Sequence, residues 1–91
     1  MDLSVAWKRL FTDWPDDVAP KGVIITSYDE QILFDGFLVG DELLVINRRT
    51  PDASGARRVV LPYTHIQGLK FTEVVKNRSL RQMGFGDAGA K

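Results

Sequence analysis

Two arginine pairs, Arg48-Arg49 and Arg57-Arg58, flank the segment 50–56 of the chain. A guanidinium is a planar fork that grips a phosphate or carboxylate through two parallel N–H donors, which an ammonium does less well. If the stretches on either side of 50–56 pair in register, the four guanidiniums lie within about two residue steps, roughly 7 Å along the strand. The plainer alternative is that strand alternation sends two to each face, where Asp52 and the acidic first half of the chain neutralise them. Tyr63 and His65 come next. A histidine donates to phosphate and a tyrosine stacks on a base. The same pair also suits a structural joint, with His65 satisfied by backbone and Tyr63 packed at the interface. Asp41, in Gly40-Asp41-Glu42, either orients a loop and accepts from a base or bonds its own backbone, as turn aspartates commonly do.

Other chemistry is poorly supplied. There is no Cys and only one His, so disulfides, thiolate nucleophiles, Cys-ligated metals and His-rich metal sites are not expected. Asp16-Asp17 and Asp29-Glu30 lie in polar turns with no neighbouring His or Cys, which suits solvated charges better than an acid/base pair. Neither a Gly-rich phosphate loop nor a nucleophile elbow is present. No enzyme activity and no cofactor are expected. The chain is neutral overall, which argues against a general electrostatic grip on nucleic acid but permits a local basic patch. The neutrality hides a division. Residues 1–47 hold nine acids and three bases, a net of −6, and residues 48–91 hold nine bases and three acids, a net of +6. Such a split suits head-to-tail contact between copies.

Ninety-one residues make one domain, and 44% hydrophobic with 26% charged residues is a globular composition. Leu3, Ala6, Trp7, Leu10, Phe11 and Trp14 fall on one stripe of a 3.6-residue period, predicting a helix over 2–14 with Asp2 as N-cap and Pro15 as stop. Three aromatics on that stripe need a surface to lie on, because a helix this short is marginal in water by itself. Beyond the connector 15–21 the period falls to 2. Strands are predicted over 22–28, 32–39, 43–49, 57–62 and 66–75, separated by turns, with 63–65 as a short break. Gly36 inside the second strand marks a sharp bend or a close neighbour. Five short strands make a small antiparallel barrel or sandwich whose edges stay open, and the apolar edge RRVVLP invites pairing with another chain. Residues 76–91 read as a flexible C-terminal tail with a helical turn at 77–83, although Met83-Gly84-Phe85-Gly86 has the composition of a short docking segment.

The run Gly36-Phe37-Leu38-Val39-Gly40-Asp41-Glu42-Leu43-Leu44-Val45-Ile46 resembles the first motif of the Sm-like family, which includes the Sm and LSm proteins and bacterial Hfq. The likeness is a glycine in the second strand, an apolar residue two later, and a turn holding an Asp before an apolar third strand. Leu61-Pro62-Tyr63-Thr64-His65-Ile66 is similar to that family's joint between strands four and five, where Hfq carries Tyr-Lys-His. The resemblance spans roughly residues 2–75. It implies an N-terminal helix on a strongly bent five-stranded barrel of Sm-like or SH3 type, assembled as a homo-oligomeric ring with RNA on one face. The departures fall at the base-binding positions. Val45 stands where the family has an Asn that holds uracil, Leu43 replaces the stacking aromatic, Thr64 replaces the Lys, and the Arg-Gly of the second motif is missing. Loss of a stacking aromatic is worth roughly 1–3 kcal/mol per base, so the likeness implies fold and ring assembly more than uridine-specific binding.

The expectations are therefore a mainly β, Sm-like domain at 1–75 and a tail at 76–91. Its partners would be other copies of itself and RNA, touched by Arg48, Arg49, Arg57, Arg58, Tyr63, His65 and Asp41. The alternative is a protein-interaction or structural homo-oligomer with no nucleic-acid role. No apolar run is long enough to span a membrane, and MDLSVAWKRLF is amphipathic, unlike a signal peptide, so a cytoplasmic location is expected.

Overall fold

The computed structural model describes residues 3–86. Helix α1 (Leu3–Thr12) leads into β1 (Gly22–Thr26), β2 (Gln31–Val39), β3 (Leu43–Arg48) and β4 (Arg58–Pro62). A single 3-10 turn (Tyr63–His65), β5 (Ile66–Lys70) and the short helix α2 (Asn77–Gln82) complete the order. The strands form one antiparallel sheet in the order β4-β3-β2-β1-β5. Its two outer strands, β4 and β5, do not pair with each other, so the sheet is open. The predicted strand limits hold to within two residues except at the end of β5, predicted to reach 75 and ending at Lys70. The reason is its neighbour: β1 begins at Gly22, and Lys70 already lies opposite Val23, so later residues have no strand to pair with.

Helix α1 packs against the 3-10 turn and β2. Phe11 is buried, and Trp7, Leu10 and Trp14 pack half-buried against the core of Ile24, Ile32, Phe34, Leu44 and Ile46. Phe37 is the strand's contribution: its ring meets Phe11 edge-on at 5.0 Å and Trp14 at 5.1 Å. Each such pair adds about 0.5–1.5 kcal/mol beyond burial of its area. Trp14 also donates Nε1–H to the Val18 carbonyl at 3.0 Å, which fixes the connector beneath it. The helix itself ends at Thr12, two residues before the predicted limit, and the proposed cap Asp2 lies outside the described residues.

Phe37 reaches that position because β2 changes phase. Ile32 and Phe34 point into the core and Gln31, Leu33 and Asp35 point out. Opposite β3, Phe34 pairs with Arg48 but Phe37 pairs with Ile46, so one extra residue is inserted between them. An inserted residue reverses the alternation that follows. Phe37 therefore faces inward and Leu38 outward, the opposite of an uninterrupted strand. Gly36 carries the insertion with φ +152°, and a Cβ there would stand 2.8 Å from Asn47 Nδ2.

The C-terminal segment differs from the loose tail expected at 76–91. Ser79 of α2 is buried and donates Oγ–H to Asp17 Oδ2 at 2.8 Å, and Met83 is buried as well. Gly84, at φ +107°, and Phe85 return their N–H groups to the carbonyls of Arg81 and Leu80, closing the helix. Residues 87–91 of that expectation lie outside the described residues.

Replacing Gly36 with Ala forces a side chain into a left-handed backbone position and against Asn47. We expect a loss of about 1–3 kcal/mol in unfolding free energy, read as a lower urea midpoint by tryptophan fluorescence. An unchanged midpoint would mean the phase change does not need glycine.

Candidate functional site

The seven residues singled out from the sequence do not gather in one place. Asp41 and Tyr63 form a first group where β2 turns into β3. His65, two residues on, meets the β1–β2 turn instead, at Ser27 and Tyr28. The four arginines form a second group at the β3–β4 hairpin. Along six-residue β3 the hairpin stands roughly 16 Å from the first group.

Within the first group, Tyr63 is 1% exposed and donates its hydroxyl to the Gly40 carbonyl at 2.9 Å. Burial pushes its phenol above the ordinary value, and the charge of Asp41 acts in the same direction. A ring so enclosed within one chain has no free face for a base, and it is buried there rather than at an interface. Its backbone N–H also reaches the Glu42 carbonyl at 3.4 Å, so the turn holding Asp41 is tied to the 3-10 turn from both ends of one residue. Asp41 is fully exposed and pairs with Lys8 of α1 at 3.3 Å. An exposed pair contributes roughly 0–1 kcal/mol, but it orients the carboxylate toward the helix. His65 is half-buried; its carbonyl accepts from Ser27 N–H at 2.8 Å and its ring meets the edge of Tyr28 at 5.5 Å. Tyr28, itself largely exposed on the β1–β2 turn, was missed in the sequence because nothing in the local pattern marks its neighbour.

The second group is brought together in the register required. Asn47 pairs with Arg58, and Arg48 N–H bonds to the Arg57 carbonyl at 2.7 Å. Arg48 is the partly covered member: Nε–H donates to the Thr50 carbonyl at 3.1 Å, and Nη1 lies 4.0 Å from Glu30 Oε2. Arg49, Arg57 and Arg58 are exposed and make no ion pair among the described residues. Asp52, the expected neutraliser, is committed to the loop. One oxygen accepts from Ser54 N–H, Ser54 Oγ–H and Ala56 N–H at 2.9, 2.7 and 2.9 Å. The Ser54 hydroxyl and the Ala56 amide hold its carboxyl below the usual value, with a smaller contribution from Arg48. Three guanidiniums without an ion pair among the described residues thus flank a loop kept in shape by Asp52.

A third feature was not singled out. Leu38, Val45 and Val60 lie directly opposite one another across β2, β3 and β4, forming a row on the outer face. Leu38 is 58% and Val60 59% exposed, and Val60 belongs to an unpaired edge strand. The signal was present in β4, where Val59, Val60 and Leu61 are consecutive and cannot all face one side. In β2 it was hidden, because the phase change that turns Leu38 outward is a tertiary feature. No helix among the described residues is long and apolar enough to cross a membrane, and no group of His, Asp or Glu among them is placed to hold a metal ion.

Compared with protein-family models, curated proteins and solved structures, the chain matches none.

The depressed pKa of Asp52 sets a pH window. Its contribution to loop order is complete above the ordinary carboxylate range and is lost as pH falls through the lower, folded-state value. Amide exchange at Ser54 and Ala56, referred to exchange in an unstructured peptide at each pH, is expected to keep its protection at pH 5–7. Protection should fall at stronger acidity, and Asp52→Ala should abolish it throughout. Retained protection in Asp52→Ala would remove the aspartate from the loop's support.

Proposed function

We propose that this chain is a self-assembling Sm-like module, in which the β4 edge of one copy pairs with the β5 edge of the next to make a homo-oligomeric ring. One observation carries the reading: the sheet ends in two unpaired edges, and the β4 edge displays an exposed apolar side chain, Val60, continuous with Val45 and Leu38. An open edge offers unsatisfied N–H and C=O groups to any strand, and apolar side chains beside it gain from being covered. Support for the Sm-like form comes from the leading helix, five antiparallel strands, the glycine irregularity in the second strand and the short joint before the fifth. Two unlike edges on one copy make a head-to-tail contact, which propagates until rotation closes it. Assembly with a structural or protein-interaction role is favoured over uridine-specific RNA binding, since Tyr63 is enclosed and the arginines stand apart from it.

The test is mass in solution. Light scattering on the purified chain should give a discrete multiple of 10.2 kDa. Val60→Lys, which puts a charge on the β4 edge, should shift the population toward the single chain. A wild-type chain of single mass at high concentration would overturn the proposal.

A second reading has its own support in the three unpaired guanidiniums of the β3–β4 hairpin. Arranged around a ring, they would present a repeated basic band to a polyanion such as RNA. On a single strand, each phosphate that a cation neutralises steepens the salt dependence of binding by about 0.7 in the log–log slope. Arg57→Ala with Arg58→Ala is therefore expected to weaken binding to a single-stranded RNA and flatten its dependence on salt. Unchanged affinity and slope would take these arginines away from phosphate.

A further inference from the structure

An apolar groove of about 780 Å³ opens between α1 and the C-terminal segment, with the start of β5 along its floor. Leu3, Trp7 and Leu10 form one wall, Met83 and Phe85 the other, and Ile66 lies beneath them. The second wall is held in place from a distance. The Ser79–Asp17 hydrogen bond fastens α2 to the connector after α1, and the closing turn through Gly84 sets Phe85 at the rim, 52% exposed.

We infer that this groove receives the β4 edge of a second copy, so that the C-terminal segment, together with α1, grips the incoming strand. The inference rests on the assembly reading above and names the seat that reading leaves open. Two observations point to that occupant. β5 is an edge strand, and an extended segment is what an unpaired edge accepts. The other free edge of the same chain is β4, whose exposed Val60 needs an apolar surface to cover it. A groove and a ridge on different parts of one surface make a heterologous contact, the kind that repeats from copy to copy.

Three full-length variants test the seat. Phe85→Asp and Leu3→Asp each place a charge in an exposed wall of the groove without touching the strand ladder, and Val74→Asp places the same charge at a site 97% exposed and outside the groove. By light scattering across a dilution series, the first two are expected to raise the concentration of half-dissociation by about tenfold or more, while Val74→Asp leaves it unchanged. Phe85→Ala, which removes only the ring, gives the same direction should an aspartate disturb the C-terminal turn. If the wild type assembles and the groove variants assemble equally well, the groove is not the seat, though edge pairing stands. An equal loss from Val74→Asp would assign the effect to charge in general and also overturn the seat. A wild type that never assembles removes the assembly reading and the seat together.

Discussion

One extra residue in β2 decides which side of the sheet every later side chain of that strand occupies. Before it, Ile32 and Phe34 build the core; after it, Phe37 takes over as the inward residue and receives Phe11 and Trp14 of α1. Without the insertion Leu38 would face α1 and Phe37 would face solvent, and the helix would lose its aromatic floor. A helix of ten residues has little stability of its own, so its place depends on this contact together with its packing on the 3-10 turn. The same event moves Leu38 to the outer face, next to Val45 and Val60. Seating the helix and exposing an apolar row are thus two consequences of one backbone irregularity at Gly36.

That coupling explains why the molecule's unsatisfied features cluster as they do. Several of its charged groups have partners: Lys8 with Asp41, Lys21 with Glu73, Asp52 with its own loop. The uncovered apolar and peptide-like features are the outer row, the groove beside β5 and the free groups of two edge strands. Apolar burial and main-chain pairing reward contact with a similar strand far more than contact with a soluble anion. The arginine hairpin stands at the far end of β3 from the enclosed Tyr63.

Much of the fold was legible because it is written in local periods. The 3.6-residue stripe from Leu3 to Trp14 and the turn clusters between apolar runs placed α1 and all five strands. Gly36 signals a bend or a close approach, and the close approach is present, to the side chain of Asn47. The candidate site was less legible, because exposure is decided by partners distant in sequence. Tyr63 is enclosed by the turn at Gly40, twenty-three residues earlier. Ser79 is buried by an aspartate sixty-two residues earlier, which is why a segment composed like a loose tail is docked. The arginine register was readable, since it needs only that β3 and β4 be adjacent.

An open apolar edge usually risks indiscriminate pairing, and β4 carries two devices that narrow the choice. Arg58 at its start places a charge where a misaligned strand would bury it, and Pro62 at its end has no N–H to offer. Between them only Val59, Val60 and Leu61 remain as an uninterrupted apolar stretch. Three residues give a short ladder of little strength by itself, so a stable contact requires side chains packed beside it. The walls formed by Trp7, Leu10, Met83 and Phe85 supply that kind of surface at the opposite edge. A weak ladder combined with a shaped groove would favour one register over many, and in a head-to-tail contact a constant register repeats one rotation from copy to copy, which decides between a closed ring and an open filament.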